Sequence, residues 1–396
     1  MMQISPETQL FIREHSSDDV RVLALQAKKY PDIDMPTAIT QIAGRKVAAE
    51  KIPSWWEIEK IWYPKHLSLE QCSSEITARY KARLLQGDSL TDLTGGFGID
   101  CSFLATGFKS ATYVERQEEL CEIAAHNFPV LNLNHINIKN EDGVTYLQAM
   151  SPVDCLFLDP ARRNEHGGKT VAISDCEPNV AELEELLLQK ANRVMIKLSP
   201  MLDLSLALKE LKQTQEVHIL SVNNECKELL ILLGQTSPAE ISIHCANLST
   251  KGTQEEQHFV FTREQEQCSE CTYTDSLETY LYEPNASLLK AGAFRSIAAA
   301  YPVRKLHPNS HLYTSDTFIE NFPGRIFRIV NQCSFNKKEV KENLTDLKKA
   351  NVTARNFPAT VAELRKRIHL AEGGDTYLFA STLNNGQKVL IRCEKV

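Results

Sequence analysis

The sequence predicts an α/β protein whose central part is a doubly wound parallel sheet, preceded by a helical domain and followed by small α+β modules. Apolar, strand-like runs alternate with helical segments between residues 89 and 234, which is typical of a parallel sheet covered by helices. A glycine-rich turn, DLTGGFGID, lies between the first such strand and the first helix. Open α/β sheets bind their ligands at turns of this kind.

Length and composition are those of a multidomain globular protein. The chain has 396 residues, of which 42% are hydrophobic and 24% are charged, so we expect two to four domains. The formal net charge of -7 argues weakly against a chain coated in nucleic acid, although local basic patches remain compatible with it. No stretch approaches the roughly 20 apolar residues of a membrane span, and we expect no secretory signal.

The eleven cysteines are odd in number and dispersed, which indicates reduced thiols and predicts a cytoplasmic protein. Cys268 and Cys271 form a single CxxC motif. A structural zinc ion needs four ligands, and no second ligand pair at suitable spacing is evident in the sequence. We therefore expect no metal cofactor.

Residues 1–86 are predicted to form an N-terminal helical domain, because their apolar residues recur at helical spacing. The segment SLEQCSSEITARYKARLL is expected to be one helix that starts with a capping box of Ser68 and Gln71. Three tryptophans and a tyrosine lie within PSWWEIEKIWYP. Helix packing is the favoured explanation for them, and a platform for stacked bases is the alternative.

Residues 87–265 are predicted to form the central sheet domain. Five parallel strands are expected at LTDLT, SATYVER, INIKNED, VDCLFLDP and RVMIKLSP. The fourth is almost continuously apolar, as is usual for strands buried on both faces of a parallel sheet. EVHILSV and ELLILLG then predict an antiparallel hairpin at the sheet edge, and AEISIHCANL with QHFVFTRE predicts another hairpin.

The rest of the chain is predicted to form small α+β modules at residues 266–323 and 324–396. Within the second module, strands at GRIFRIVNQCSF and NVTARNF alternate with helices at NKKEVKENLTDLKKA and TVAELRKRIHL. A closing hairpin follows, with its turn at Asn384, Asn385 and Gly386.

The glycine-rich turn is compared with three ligand-binding motifs. A Walker phosphate loop needs a lysine after its last glycine, and the turn has none. A dinucleotide fingerprint needs GxGxxG, but here the spacing is Gly95, Gly96, Gly98 and then Asp100, so the third glycine is missing. The remaining pattern is an acidic residue, Asp92, followed by alternating small residues with Thr94 in the first glycine place. That spacing is used for S-adenosylmethionine.

Acidic residues also end the next three strands. Glu115 lies in YVER, Asp142 lies in KNEDG, and Asp159 ends LFLD. Because the carboxyl ends of parallel strands form one rim of a sheet, we expect these acids to converge on the turn. Glu115 would suit two ribose hydroxyls and Asp142 an adenine amino group, although either acid alone could equally be a solvated strand end.

Together these features resemble the class I S-adenosylmethionine-dependent methyltransferases over residues 89–234. The resemblance implies a Rossmann-like, doubly wound, seven-stranded methyltransferase sheet with S-adenosylmethionine as cofactor. It implies that Asp92 and the glycines contact the methionine end, Glu115 the ribose and Asp142 the adenine. The candidate cofactor-binding residues are Asp92, Thr94, Gly95, Gly96, Phe97, Gly98, Asp100, Glu115, Arg116, Asp142, Gly143 and Asp159.

The segment DPARRNEHGGK after the fourth strand would face the transferred methyl group. Methyltransferases that act on base amino groups carry Asp or Asn, Pro, Pro and an aromatic residue here. This chain keeps Asp159 and Pro160 but has Ala161 and Arg162 in the next places, and Arg162 could stack on a base or hold a phosphate. RNA uracil-C5 methyltransferases share Asp-Pro-x-Arg but need a cysteine after the fifth strand. IKLSPMLDL has none, so we exclude that chemistry.

Asp159 is the candidate for orienting the acceptor or taking its proton, and a local cap of its own loop is the alternative. The basic residues that follow it would suit a phosphate-bearing substrate, and a solvated charge run is the alternative. The candidate catalytic residues are Asp159, Pro160 and Arg162. The candidate substrate-binding residues are Arg162, Arg163, Lys169 and Lys197.

The C-terminal stretches LYEPNASLLKAGAF, YPVRKLHPNSHLYTSD, FPGRIFRI and NVTARNFP resemble bacterial methyltransferases with a ferredoxin-like module followed by a THUMP-like domain. The resemblance implies that the substrate is RNA, either tRNA or rRNA. The last 72 residues are also rich in Lys and Arg within an acidic chain, as a phosphate-binding surface would be. The alternatives are a protein or small-molecule acceptor, or an RNA-binding protein that keeps the pocket without activity.

Overall fold

The computed structural model of the protein describes residues 4–162, 172–236, 238–250 and 256–396. It divides into two compact units. The first comprises Met1–Gln215 with Leu230–Pro238, and the second comprises Glu216–Leu229 with Ala239–Val396. The boundaries of the four domains expected from the sequence stay a prediction.

The first unit begins with six helices. They are α1 (Pro6–Glu14), α2 (Val20–Leu25), α3 (Met35–Lys51), α4 (Pro53–Trp56), α5 (His66–Gln71) and α6 (Glu75–Ala82). The single helix predicted from Ser68 is wrong, because the chain is extended at Cys72 and α5 and α6 are separate. The capping box is absent from the described start of α5, whose N-cap is Lys65. The Ser73 hydroxyl between the helices binds distant charged side chains instead, and such polar bonds compete with helix propagation.

A parallel sheet follows in the same unit. Its strands and two short flanking strands are β1 (Ser89–Asp92), β2 (Ser110–Glu115), β3 (Ile136–Asn140), β4 (Val153–Leu158), β5 (Ala161–Arg162), β6 (Cys176–Glu177) and β7 (Ala191–Leu198). The helices between them are α7 (Ile99–Ala105), α8 (Glu118–Val130), α9 (Gly143–Ala149), α10 (Val180–Lys190) and α11 (Leu204–Glu210).

The strand order of this sheet identifies the carboxyl end of β1 as its topological switch point. The parallel order is β7-β4-β1-β2-β3, and among the strands that the structure describes β5 pairs only with β6. Asp92, at the end of β1, lies opposite Tyr113 on one side and Phe157 on the other. The chain first adds β2 and β3 on one side of β1 and then adds β4 and β7 on the other side. The carboxyl end of β1 is therefore the switch point at which open α/β sheets bind ligands.

The next strands extend the sheet beyond the predicted hairpin. They are β8 (Thr214–Val222), β9 (Glu225–Gly234), β10 (Ser242–Leu248) and β11 (Gln257–Thr262). The β10–β11 hairpin is confirmed, but β8 is not an edge strand because β10 pairs with it in parallel. The sheet therefore has nine strands rather than seven. The last six residues of β8 are all buried, as is usual for a strand in the interior of a parallel sheet.

The second unit also contains a seven-stranded sheet of order β13-β14-β12-β15-β18-β17-β16. Its strands are β12 (Tyr280–Pro284), β13 (Arg304–Lys305), β14 (Tyr313–Ser315), β15 (Gly324–Ser334), β16 (Asn351–Ala354), β17 (Thr376–Thr382) and β18 (Lys388–Lys395). Its helices are α12 (Arg263–Cys268), α13 (Ala286–Ala291), α14 (Ser296–Ala300), α15 (Lys337–Leu344) and α16 (Val361–Ile368). The closing β17–β18 hairpin is antiparallel, and its turn uses Gly386 at φ +86°.

The predicted fold class is confirmed. An α/β region with a large parallel sheet follows N-terminal helices, and a smaller α+β region lies at the C-terminus. Among the described residues, no helix combines the length and apolar character needed to cross a bilayer.

Candidate functional site

The turn between β1 and α7 is a tight bend that glycine makes possible. Gly96 and Gly98 have φ values of +54° and +85°, which lie in the left-handed region that other residues enter at a cost. A Cβ on Gly95 would lie 2.2 Å from the ring of Tyr113. A Cβ on Gly96, by contrast, would meet nothing closer than the Thr94 carbonyl oxygen at 3.8 Å. The bend is thus packed against β2 at Gly95 and has free space at Gly96.

Asp92 supplies a buried carboxylate at the start of this bend. It is 1% exposed, and its Oδ1 accepts a hydrogen bond from the Thr94 amide at 3.0 Å. Its Oδ2 is buried and has no hydrogen-bond partner among the described residues. Burial raises the pKa of Asp92 to about 8, with further contributions from the nearby carboxylates of Asp100, Asp159 and Glu115. Such an atom is suited to a donor or a cation supplied by a ligand.

Glu115, at the end of β2, is bound directly to the bend. Its carboxylate accepts from the Gly96 amide at 2.9 Å and from the Gln117 amide at 2.8 Å. The Tyr113 hydroxyl, two residues earlier, donates to the Gly96 carbonyl oxygen at 2.5 Å. β2 therefore binds both the N–H and the C=O of Gly96, and it brings the expected ribose acid to the expected glycine.

Asp142 follows β3 and caps α9. Its Oδ1 accepts from the amides of Val144 and Thr145, both at 3.0 Å. Gly143 approaches the backbone after β1 so closely that a Cβ there would lie 2.2 Å from the Leu93 carbonyl oxygen. The start of α9 thus lies beside the β1 end, in the place from which the sequence predicted an adenine contact.

Asp159, after β4, is joined to the same bend and to a buried lysine. Its amide donates to the Thr94 hydroxyl at 2.6 Å, and its Oδ2 lies 2.5 Å from Nζ of Lys197. Its side chain is 37% exposed. Burial raises the pKa of Asp159, while the ammonium of Lys197 opposes that effect. Pro160, next along the chain, is buried.

Lys197 belongs to a buried charge cluster that the sequence did not predict. Its Nζ lies 3.1 Å from the Ser73 hydroxyl and 3.5 Å from Asp100, while Lys81 pairs with Asp100 at 2.8 Å. Although burial acts in the opposite direction, the ammonium groups of Lys81 and Lys197 lower the pKa of Asp100 to about 2. Asp100 is thus tied to lysines, and Lys197 positions Asp159.

Two predicted residues have contacts of a more structural kind. The ring of Phe97 packs in a hydrophobic cluster, 5.2 Å from Trp55 and 6.2 Å from Tyr63, so helix packing is confirmed for that tryptophan. Arg116 points to Glu177 at 3.4 Å, and both side chains are mostly exposed. Arg163 and Lys169 lie outside the described residues, as does the side chain of Arg162.

Comparison with known proteins identifies both the C-terminal domains and a full-length relative. Residues 280–323 match a ferredoxin-like domain family and residues 324–395 a THUMP domain-like family. A crystal structure of a protein from Porphyromonas gingivalis W83, assigned as a methyltransferase, is 34% identical over 100% of both chains, with a TM-score of 0.87. No curated protein matches this chain.

Two more distant structures overlap with only 40% of the chain at 14% identity. One is an rRNA methylase from Streptococcus thermophilus, covered over 93% of its length with a TM-score of 0.29. The other is a protein from Streptococcus mutans, assigned as a methyltransferase and solved with SAH, covered over 96% with a TM-score of 0.30. Scores this low carry no argument about this chain. The chain belongs to the methyltransferase family of the Porphyromonas protein, to which it is related over its whole length. In this chain, the ferredoxin-like and THUMP-like domains lie in the C-terminal part.

Proposed function

We propose that this methyltransferase takes its methyl group from S-adenosylmethionine and transfers it to RNA, either tRNA or rRNA. The observation that carries the cofactor assignment is the buried Oδ2 of Asp92, which has no hydrogen-bond partner among the described residues, at the start of a bend that has free space at Gly96. S-adenosylmethionine has two cationic groups, an ammonium and a sulfonium. A cation lowers the cost of ionising a buried carboxylic acid, so the raised pKa of Asp92 fits such a ligand.

The other strand-end residues fit the rest of the cofactor. Each oxygen of Glu115 accepts one backbone amide, and a carboxylate oxygen has capacity for a second donor. Both could therefore accept ribose hydroxyls without releasing the bend. Asp142 and the backbone at Gly143 would bind the adenine. Arg116 and Phe97 would contribute through their backbone, since Phe97 is packed elsewhere.

When bound, the cofactor supplies an electrophilic methyl group, so alignment of the acceptor provides most of the rate. The Thr94 hydroxyl holds the backbone of Asp159, and Lys197 holds its carboxylate. Asp159 would then accept a hydrogen bond, or the proton, from the acceptor atom. Pro160 fixes its own φ and restricts the backbone of Asp159 before it, and Arg162 with Arg163 and Lys169 would bind the substrate.

Charges in the C-terminal domain support RNA as the substrate. Arg325 and Arg355 pair with the buried Glu283, so these two arginines are committed to the fold. A second group forms no ion pair within 4.0 Å among the described residues: Lys337, Lys338, Lys341, Lys348, Lys349 and Lys366. Unpaired lysines of this kind can bind phosphates. The THUMP domain-like match covers all of them.

Calorimetry with S-adenosylhomocysteine tests the cofactor assignment. Glu115→Gln keeps the size of the side chain but removes its charge, and we expect binding to weaken by about 1.5–3 kcal/mol, the worth of hydrogen bonds to a charged acceptor. Asp92→Ala should abolish detectable binding. Asp88→Asn is the matched control, since Asp88 is exposed and pairs only with the surface residue Lys109 among the residues described. Wild-type affinity in Asp92→Ala would refute the assignment.

Incubation with methyl-labelled cofactor tests the acceptor. We expect label in cellular RNA, and binding to that RNA should weaken with salt, with a log–log slope of about 0.7 per phosphate contacted in single strands. Label in protein or small molecules would replace RNA as the acceptor. Label in no fraction, together with salt-dependent RNA binding, would favour the inactive RNA-binding alternative.

A further inference from the structure

Three potential metal ligands lie side by side on one face of the β8–β10 pair. Glu216 and His218 are two residues apart on β8, so their side chains leave the same face of the strand. In the parallel register, His244 of β10 lies opposite His218, and Ser242 lies opposite Glu216. Two ligands at i and i+2 and a third on the neighbouring strand form a triangle whose sides are set by the sheet spacing.

The side chains of this triangle are already close. The rings of His218 and His244 are stacked with centroids 4.4 Å apart at 11°. Nε2 of His218 lies 3.2 Å from Oε2 of Glu216, and one ligand atom from each of the three residues lies within 4.8 Å of the others. His218 is 3% exposed, whereas the Glu216 side chain is 29% exposed, so the cluster is buried at one end and open at the other.

We propose that Glu216, His218 and His244 bind a divalent transition-metal ion, with Zn²⁺ as the occupant. Two imidazole nitrogens and one carboxylate oxygen suit Zn²⁺, whereas Mg²⁺ and Ca²⁺ prefer oxygen ligands alone. Bonds of about 2.1 Å to a tetrahedral ion put ligand atoms about 3.4 Å apart. The His218–Glu216 distance of 3.2 Å is already close to that length. Nε2 of His244 now lies 3.1 Å from the Ser242 hydroxyl, and metal binding would exchange that hydrogen bond for a bond to the ion.

A further histidine lies on the next strand, outside the cluster of three. β11 pairs with β10 so that His258 lies opposite Ala246, two residues beyond His244 and on the same face. His258 binds Glu256 through Nε2 at 3.0 Å and is half exposed. Either His258 or a water molecule completes four-coordination. The ion would cross-link β8 to β10, a role separate from the methyl transfer proposed above.

Metal titration of the full-length protein tests this site. After chelator treatment and in the presence of a reductant that does not bind metal, we expect about one equivalent of Zn²⁺ to bind in competition with a chromophoric chelator. His244→Gln and Glu216→Gln should each weaken that binding at least about 100-fold, more than the loss of an outer-shell contact does. Mg²⁺ at the same concentration should not compete.

The matched control separates this site from the cysteines. The double variant Cys268→Ser, Cys271→Ser should keep full Zn²⁺ binding if the histidine cluster is the site. Co²⁺ in place of Zn²⁺ should give a visible d–d band without the near-ultraviolet band of a cobalt–thiolate bond. Glu216 is partly exposed, so its variant still reports if His244→Gln does not fold. No binding, or binding lost only in the cysteine variant, would overturn the proposal.

Discussion

The substitution Asp92→Asn tests the central feature of the site through stability. The pKa of Asp92 is about 8 in the folded protein against 3.8 for an ordinary aspartate. The folded chain therefore holds the proton more tightly than the unfolded chain does. Its contribution to stability is fully present below about pH 3.8, and it is lost progressively as the pH rises towards 8. Asparagine keeps the shape without a proton to lose.

The size of the effect follows from the distance between the two pKa values. The ordinary aspartate pKa of 3.8 lies about 3 pH units below pH 7. Each unit is worth about 1.4 kcal/mol, so at pH 7 the ionisable Asp92 lowers the free energy of unfolding by about 4 kcal/mol relative to a side chain that stays neutral. Asp92→Asn should therefore be more stable than wild type at pH 7 by up to about 4 kcal/mol. Between pH 5 and pH 7 the gap should widen by about 3 kcal/mol. The same variant should bind the cofactor poorly, a conflict between stability and function that is common at active sites.

Urea unfolding followed by tryptophan fluorescence measures this gap, with a signal that comes from the first unit. All three tryptophans, Trp55, Trp56 and Trp62, lie in that unit. Asp88→Asn, at an exposed aspartate, should show no comparable pH dependence. If the stability gap between Asp92→Asn and wild type were the same at pH 5 and pH 7, the carboxyl group would titrate normally, and the argument from its burial would fail.

Three further substitutions test the neighbouring contacts. Gly96→Ala should cost about 1–2 kcal/mol of stability because of the positive φ of Gly96, and it should abolish cofactor binding in calorimetry. Gly386→Ala is strained in the same way, but it should leave cofactor binding unchanged. Lys197→Met should lower the free energy of unfolding by about 3–5 kcal/mol, measured in urea. It should also move the pH–rate profile of methyl transfer to higher pH, because the pKa of Asp159 would rise without the lysine. An unchanged profile would exclude a positioning role for Lys197. Trp55→Ala should destabilise by about 3–5 kcal/mol, and a loss below 1 kcal/mol would contradict its packing on Phe97.

Much of the site could be predicted from the sequence because each part of it is local. A strand, a glycine bend and a helix start follow one another within ten residues around Asp92. The strand-end position of Glu115 follows in the same way from its own strand. Parallel strands all present their carboxyl ends at one rim, so local patterns were enough to expect that Glu115 and the bend meet, as they do through the Gly96 amide.

Other parts of the site could be identified only in the folded structure. Lys197 and Ser73 are 124 residues apart and share a hydrogen bond, and Lys81 neutralises an aspartate that the sequence assigned to the cofactor. Likewise, β10 beside β8 turned an expected edge into an interior position and set His218 against His244.

The sequence by itself determined the α/β class, the glycine bend and the acids at the strand ends. Hydrophobic period and turn chemistry depend on neighbours a few residues apart, and these are visible in a single chain. Only the tertiary structure decided which charges pair, that Phe97 is a packing residue and that the sheet continues to nine strands. Those outcomes depend on which distant segments become neighbours, and burial then fixes the cost of leaving a charge such as Asp100 without its lysines.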